Sequence, residues 1–305
     1  MRHLLDISDL SRPDLESLLD DADGFVEVLG RPIPKVPALR GKTVTTAFFE
    51  ASTRTRLSFE RAAKALSADT MTFAPGTSSL SKGESLKDTV LTLQAMGSDL
   101  LVIRHQAVGA ARRVSEWLSI PVVNGGDGAH QHPTQALLDA LTVRRRFGHV
   151  EGLQVAIVGD IRHSRVARSD LQAFSTLGAR VTLVAPRTLL PVTTEGWRVE
   201  ICNSLDEVLP DVDVVYLLRV QTERGGASVF PSLPEYVSRF GMTRERRARL
   251  KPGAVVMHPG PMNRGVEIAD EVADDPDALV LEQVAMGVAV RMAVLFRLLG
   301  GETDA

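Results

Sequence analysis

Short apolar runs recur along the chain, separated by amphipathic stretches of helical length. In the first half the runs are Thr43–Phe49, Thr70–Phe73, Leu100–Ile103 and Pro121–Val123. In the second they are Gln154–Val158, Arg180–Val184, Asp213–Leu218, Ala254–Met257 and Leu279–Leu281. Helical patterns fall between them at Arg56–Ala68, Ser85–Met96, Thr134–Arg146 and Ala167–Leu177, and Glu282–Leu299 reads as one long apolar helix. Strands alternating with helices form parallel sheets covered on both faces. Two groups of four or five strands predict two α/β domains rather than one sheet. The Gly-containing segment Asp127–Pro133 is the best junction between them.

Composition narrows the class. The 305 residues fit about two domains at roughly 150 residues each. Hydrophobic residues at 44% and charged residues at 24% exclude a disordered chain, a collagen-like repeat and a minimal disulfide scaffold. Arg291 and Arg297 interrupt the apolar run Val290–Leu299, so no membrane span is expected. The N-terminal segment is acidic and lacks a continuous apolar core, so no signal peptide is expected. Cys202 is the one cysteine; it has no internal partner and reads as a small buried residue of a protein in a reducing, cytoplasmic compartment. A net charge of −3 argues against nucleic acid as a partner. Of the 35 basic residues, 29 are Arg and 6 are Lys. Much of that bias is background, and the runs Arg144–Arg146 and Arg244–Arg249 read as solvated helix faces. An arginine matters where its two-pronged guanidinium faces a carboxylate or phosphate.

Ligands of parallel α/β sheets bind beyond the carboxyl ends of the strands, and polar groups collect there. Thr43–Phe49 leads into Glu50-Ala51-Ser52-Thr53-Arg54-Thr55-Arg56, and Thr70–Phe73 into Ser79-Leu80-Ser81-Lys82-Gly83-Glu84. Leu100–Ile103 is followed by Arg104-His105, and Pro121–Val123 by glycines and then His132-Pro133-Thr134-Gln135. In the second half the strand ends lead to Gly159-Asp160 and Arg165, to Arg219-Val220-Gln221, and to His258-Pro259-Gly260-Pro261. Ser52–Thr55 open a helix, so free backbone N–H groups, hydroxyls and a guanidinium converge as a phosphate cradle. A plain N-cap by Ser52 is the alternative. Lys82 lies in a loop long enough to fold over an anion. His132, fixed before Pro133 at a helix mouth, is suited to donate to a carbonyl oxygen. The histidines lack paired ligand spacing, so no metal is expected. Val155–Asp160 lacks the second and third glycines of a dinucleotide fingerprint, and no cofactor is expected.

The combination Phe48-Phe49-Glu50-Ala51-Ser52-Thr53-Arg54-Thr55-Arg56-Leu57-Ser58-Phe59-Glu60, Ser79-Leu80-Ser81-Lys82-Gly83-Glu84 and His132-Pro133-Thr134-Gln135 resembles the aspartate and ornithine carbamoyltransferases over essentially the whole chain. Arg219-Val220-Gln221-Thr222-Glu223-Arg224 and His258-Pro259-Gly260-Pro261 resemble the aspartate branch, with Gly260 where that branch usually has leucine. The resemblance implies two doubly wound parallel-sheet α/β domains with the active site in the cleft between them. Residues 1–133 and 282–305 would bind carbamoyl phosphate, and residues 134–281 aspartate. It implies that Ser52, Thr53, Arg54 and Thr55 hold the phosphate, that Thr55, Arg104 and His132 surround the carbamoyl oxygen, and that Gln135 meets the carbamoyl nitrogen. Arg165, Arg219 and Gln221 would bind the carboxylates of aspartate, with the backbone at Pro259 and Gly260 completing the site. Glu50 would pair with Arg165 and Arg224. Ser79 and Lys82 would enter from a neighbouring subunit of a homotrimer or a multiple of trimers. The reaction implied carbamoylates the α-amine of L-aspartate, the committed step of pyrimidine synthesis. Ornithine as acceptor, or a non-catalytic scaffold, are the rival readings. Association with dihydroorotase or a regulatory chain stays open.

Overall fold

In the computed structural model, which describes residues 1–73, 83–220 and 232–300, all named strand pairs are parallel. The described elements of the first half are α1 (Arg12–Leu29), β1 (Thr43–Phe48), α2 (Thr53–Ala65), β2 (Asp69–Phe73), α3 (Leu86–Ala95), β3 (Leu100–His105), α4 (Ala110–Trp117), β4 (Val122–Asp127) and α5 (Pro133–Phe147). The second half has β5 (Gln154–Val158), α6 (Arg165–Thr176), β6 (Arg180–Val184), β7 (Val199–Cys202), α7 (Leu205–Val208), β8 (Val214–Leu217), α8 (Leu233–Phe240), α9 (Arg244–Arg247), β9 (Val255–Met257), α10 (Asp270–Ala273) and α11 (Val280–Leu299).

The chain divides into two compact units, Met1–Leu141 with Ala285 onward, and Thr142–Val284. The boundaries fall inside α5 and α11. The first unit holds a four-stranded sheet in the order β2-β1-β3-β4. Strands β1, β3 and the edge strand β4 are almost wholly buried, as the apolar runs Leu100–Ile103 and Val122–Val123 require. One face packs Leu93, Val90, Ala111 and Val114 of α3 and α4 against Leu101, Ile103 and Val122, and each large side chain so buried contributes about 1.5–3 kcal/mol. Helix α1 starts at a capping box in which Ser11 and Asp14 satisfy each other's backbone N–H groups. It buries Leu15, Leu18, Leu19 and Ala22, and Arg297 of α11 donates to its Asp21 and Ser17.

The second unit holds a five-stranded sheet in the order β7-β6-β5-β8-β9. Four expectations need correction here. The run Leu279–Leu281 is not a strand. Ala278, just before it, makes one bridge to Val256 of β9, with Leu279 N–H donating to Val256 O at 2.9 Å, and the chain then turns into α11. A three-residue apolar run cannot by itself distinguish a strand from a helix start. Strand β7 was not expected, because an edge strand reading Val-Glu-Ile-Cys exposes its middle residues and carries little apolar signal. Cys202 on it is only half-buried and donates to Ser204 O. The basic run Arg244–Arg249 is not wholly solvated either. Arg246 is buried, bonded to both carboxylate oxygens of Asp206 and to the Gly241 and Ser238 carbonyls. Among the described residues no helix is long and apolar enough to cross a membrane.

Candidate active site

Each sheet reverses its winding once, between β1 and β3 in the first unit and between β5 and β8 in the second. Such switch points open a crevice at the carboxyl ends of the flanking strands. The polar clusters follow those strands.

In the first unit, Ser52 is the N-cap of α2, yet its hydroxyl makes no capping bond. That leaves both the hydroxyl and the first-turn N–H groups available to an anion, and the plain N-cap alternative loses its support. Thr53 and Arg54 are exposed in this first turn, while Thr55 is buried. Surrounding protein lowers the Arg54 pKa from its ordinary value by desolvation. Thr55 Oγ1 lies 3.5 Å from His132 Nε2. Arg104, the penultimate residue of β3, donates from Nη1 to Gly125 O at 3.2 Å and from Nη2 to Glu50 Oε1 at 3.4 Å. Gly125 packs closely beside it: a Cβ there would sit 3.2 Å from Ile103 O and 3.4 Å from a Val102 methyl.

His132 immediately precedes α5 and is almost fully buried. The turn that delivers it is organised by Asp127. This carboxylate accepts from Gly109 N–H at 2.7 Å, Asn124 Nδ2 at 2.8 Å and Gln131 N–H at 3.0 Å, and it meets His130 Nδ1 at 3.2 Å. Burial alone would raise its pKa, but the hydrogen bonds from His130, Asn124 and Gly109 prevail and hold it below the usual carboxylate value. One turn into α5, Gln135 Nε2 donates to both oxygens of Asp139, at 3.2 and 3.1 Å.

In the second unit, Arg165 is the first residue of α6 and is buried, and Ser164 caps that helix by accepting from Ala167 N–H. Arg219 follows β8 and is half-buried. Gly159, directly after β5, has φ +122°, and a Cβ on it would lie 2.9 Å from Leu218 O and 3.0 Å from the Tyr236 hydroxyl. Only glycine lets the ends of β5 and β8 come this close. Pro259 and Gly260 follow β9. Gly260 N–H donates to His258 Nδ1 at 2.8 Å, which makes Nε2 the protonated nitrogen, 3.3 Å from Glu267 Oε1. Glu267 also accepts from Asn263 N–H. Burial and the nearby Glu267 and Asp160 raise the Tyr236 hydroxyl pKa well above its ordinary value, so it remains a neutral donor.

Ser79 and Lys82 of the phosphate and interface set, and Gln221 and Arg224 of the second group, lie outside the described residues. Sequence reasoning missed Asp127, Asp139 and Glu267. The spacing of Asp139 four residues after Gln135 on a helix was a readable signal; the other two act through folded turns. Among the described residues no three His, Cys, Asp or Glu side chains are placed to hold a metal ion.

Two family models match end to end: the aspartate/ornithine carbamoyltransferase carbamoyl-P binding domain over residues 2–145, and the Asp/Orn binding domain of the same family over residues 151–298. The chain belongs to the aspartate/ornithine carbamoyltransferase family. Within it, the chain is 59% identical over 301 residues to the aspartate carbamoyltransferase catalytic subunit of Thermobifida fusca, covering 99% of this chain and 96% of that protein. Among solved structures it is similar to aspartate transcarbamoylase from Trypanosoma cruzi in complex with carbamoyl phosphate and aspartate. That match has a TM-score of 0.88 at 32% identity, covering 98% and 97% of the two chains. It is similar also to the catalytic subunit of M. jannaschii aspartate transcarbamoylase, with a TM-score of 0.86 at 36% identity and full coverage of both chains.

Proposed function

We propose that this chain transfers the carbamoyl group of carbamoyl phosphate to the α-amine of L-aspartate, giving N-carbamoyl-L-aspartate and phosphate. The observation that carries this reading is the unused Ser52 hydroxyl and open first turn of α2 beside the Thr55–His132 pair and Arg104. An anion cradle and carbonyl-oxygen donors meet at one switch point. Relatives that carry the aspartate activity by name align over almost the whole chain.

In this reading Ser52, Thr53, Arg54 and Thr55 grip the phosphate. Thr55, Arg104 and His132 donate to the carbamoyl oxygen, and Gln135 meets the carbamoyl nitrogen. The neutral α-amine attacks the carbamoyl carbon, a C–N bond forms, and charge builds on the oxygen of a tetrahedral intermediate. Each well-placed donor to that oxygen is worth roughly 3–4 kcal/mol. The C–O bond to phosphate then breaks, and the departing phosphate takes the amine proton, which supplies a base where no side chain is needed. Arg165, Arg219, Gln221 and the backbone at Pro259 and Gly260 hold the two carboxylates of aspartate. Holding two mutually repelling anions together is the remaining contribution.

Further parts of the reading are that Ser79 and Lys82 act from a neighbouring subunit of a homotrimer, that the reaction is a step of de novo pyrimidine synthesis, and that it proceeds in the cytoplasm. The unpaired Cys202 supports the last. The reading is tested by incubating the protein with carbamoyl phosphate and L-aspartate and following the amino acid by mass spectrometry. Appearance of N-carbamoyl-aspartate is expected; unmodified aspartate after prolonged incubation would refute it.

A further inference from the structure

Gln135 has two different faces to offer a substrate, a carbonyl oxygen that accepts and an NH2 group that donates. In isolation neither is preferred. Here the choice is made by Asp139, one helical turn further along α5 and fully buried. Both of its oxygens lie within hydrogen-bond distance of Gln135 Nε2, at 3.2 and 3.1 Å. A carboxylate only accepts, so the amide cannot rotate by half a turn without setting Oε1 against two acceptor oxygens.

Asp139 lies within electrostatic reach of a buried guanidinium. Arg291 of α11, fully buried and stacked over Phe59 at 5.1 Å, is anchored by donation to Ser58 Oγ and Gly287 O, each at 2.9 Å. Its charge and that of Asp139 attract, and although burial pushes Arg291 down to about 10 it stays cationic at neutral pH.

We infer that Asp139 is a positioning and specificity residue: it locks the Gln135 amide with Nε2 inward, so that Gln135 presents only an acceptor and the site selects an acyl phosphate bearing NH2 over one bearing CH3. The inference rests on the carbamoyl phosphate reading above. An acceptor aimed at an amine gains a hydrogen bond from the carbamoyl group and leaves a buried lone pair unpaired against a methyl group.

The test compares carbamoyl phosphate with acetyl phosphate as donors to aspartate, in the wild type, Asp139→Asn, Gln135→Ala and the double variant. The quantity read is the ratio of the two kcat/KM values. Because both donors meet the same fold and the same phosphate cradle, any loss of folded protein cancels in that ratio. Asp139→Asn, whose NH2 group can donate to Gln135 Oε1 and so turn Nε2 toward the substrate, is expected to lower the ratio about tenfold, the scale of one lost hydrogen bond to a substrate. The double variant is expected to match Gln135→Ala alone. A ratio that falls less than threefold in Asp139→Asn, or a double variant in which the two losses multiply, overturns the role of Asp139. Failure of the wild type to use carbamoyl phosphate would instead overturn the underlying reading.

Discussion

Thr55 Oγ1 and His132 Nε2 lie 3.5 Å apart although 77 residues separate them in the chain. The parallel order β2-β1-β3-β4 brings this about, because it sends the carboxyl ends of β1, β3 and β4 to one edge of the sheet. In the proposed reading this hydroxyl and imidazole both donate to the carbamoyl oxygen. Thr55→Ala and His132→Ala should each lower kcat, on the order of 10²-fold for a lost donor to a developing oxyanion. Steady-state kinetics of phosphate release checks this. Near-normal kcat in both variants would remove them from the reaction.

Arg54 stands exposed in the first turn of α2, so its removal should spare the fold. Arg54→Ala should show an unchanged thermal melt and a turnover reduced by orders of magnitude. Mixed with Lys82→Ala chains under conditions of subunit exchange, it should regain partial activity through hybrid oligomers. Absence of any recovery after exchange has been demonstrated would show that Lys82 does not act across a subunit boundary.

Arg219 follows β8, beside the switch point of the second sheet. Arg219→Ala should raise the KM for aspartate at least tenfold, because a guanidinium–carboxylate hydrogen bond between charged groups is worth about 1.5–3 kcal/mol. Carbamoyl phosphate binding, measured by calorimetry without aspartate, should remain within a factor of a few. Selective loss of carbamoyl phosphate binding would reverse the assignment.

Asp127 gives a pH dependence with a definite sign. Its folded pKa lies below the ordinary carboxylate value, so its stabilising contribution is complete above that value and is lost as pH falls through the lower folded value. Asp127→Asn should cost about 1–3 kcal/mol at neutral pH, since it disrupts a buried, multiply bonded acceptor. Denaturant titrations should show the gap between wild type and variant steady across the neutral range and shrinking below pH 3.8. A gap that widens in acid would contradict the bonding described for this turn.

Much of the frame was legible in advance because buried parallel strands are nearly continuous apolar runs. Gln154–Val158 and Arg180–Val184 match β5 and β6 residue for residue. The failures occur where that signal weakens. β7 is a half-polar edge, and Leu279–Leu281 carries apolar residues into a helix. The groups that touch substrate in the proposed reading were visible as strand-end polar clusters. Their supports were not, because Asp127 and Glu267 are recognisable only by the backbone N–H groups that fold around them. A composition rule that places charged runs on the surface also missed Arg246, which is buried because Asp206 and three carbonyls satisfy it.

In the proposed reading the two switch-point clusters serve carbamoyl transfer to aspartate. Phosphate release from carbamoyl phosphate, measured side by side with L-aspartate and with L-ornithine, tests it most directly. Release that depends on aspartate and stays at background with ornithine is the result this account predicts. Release driven by ornithine, or by neither amino acid, would contradict it.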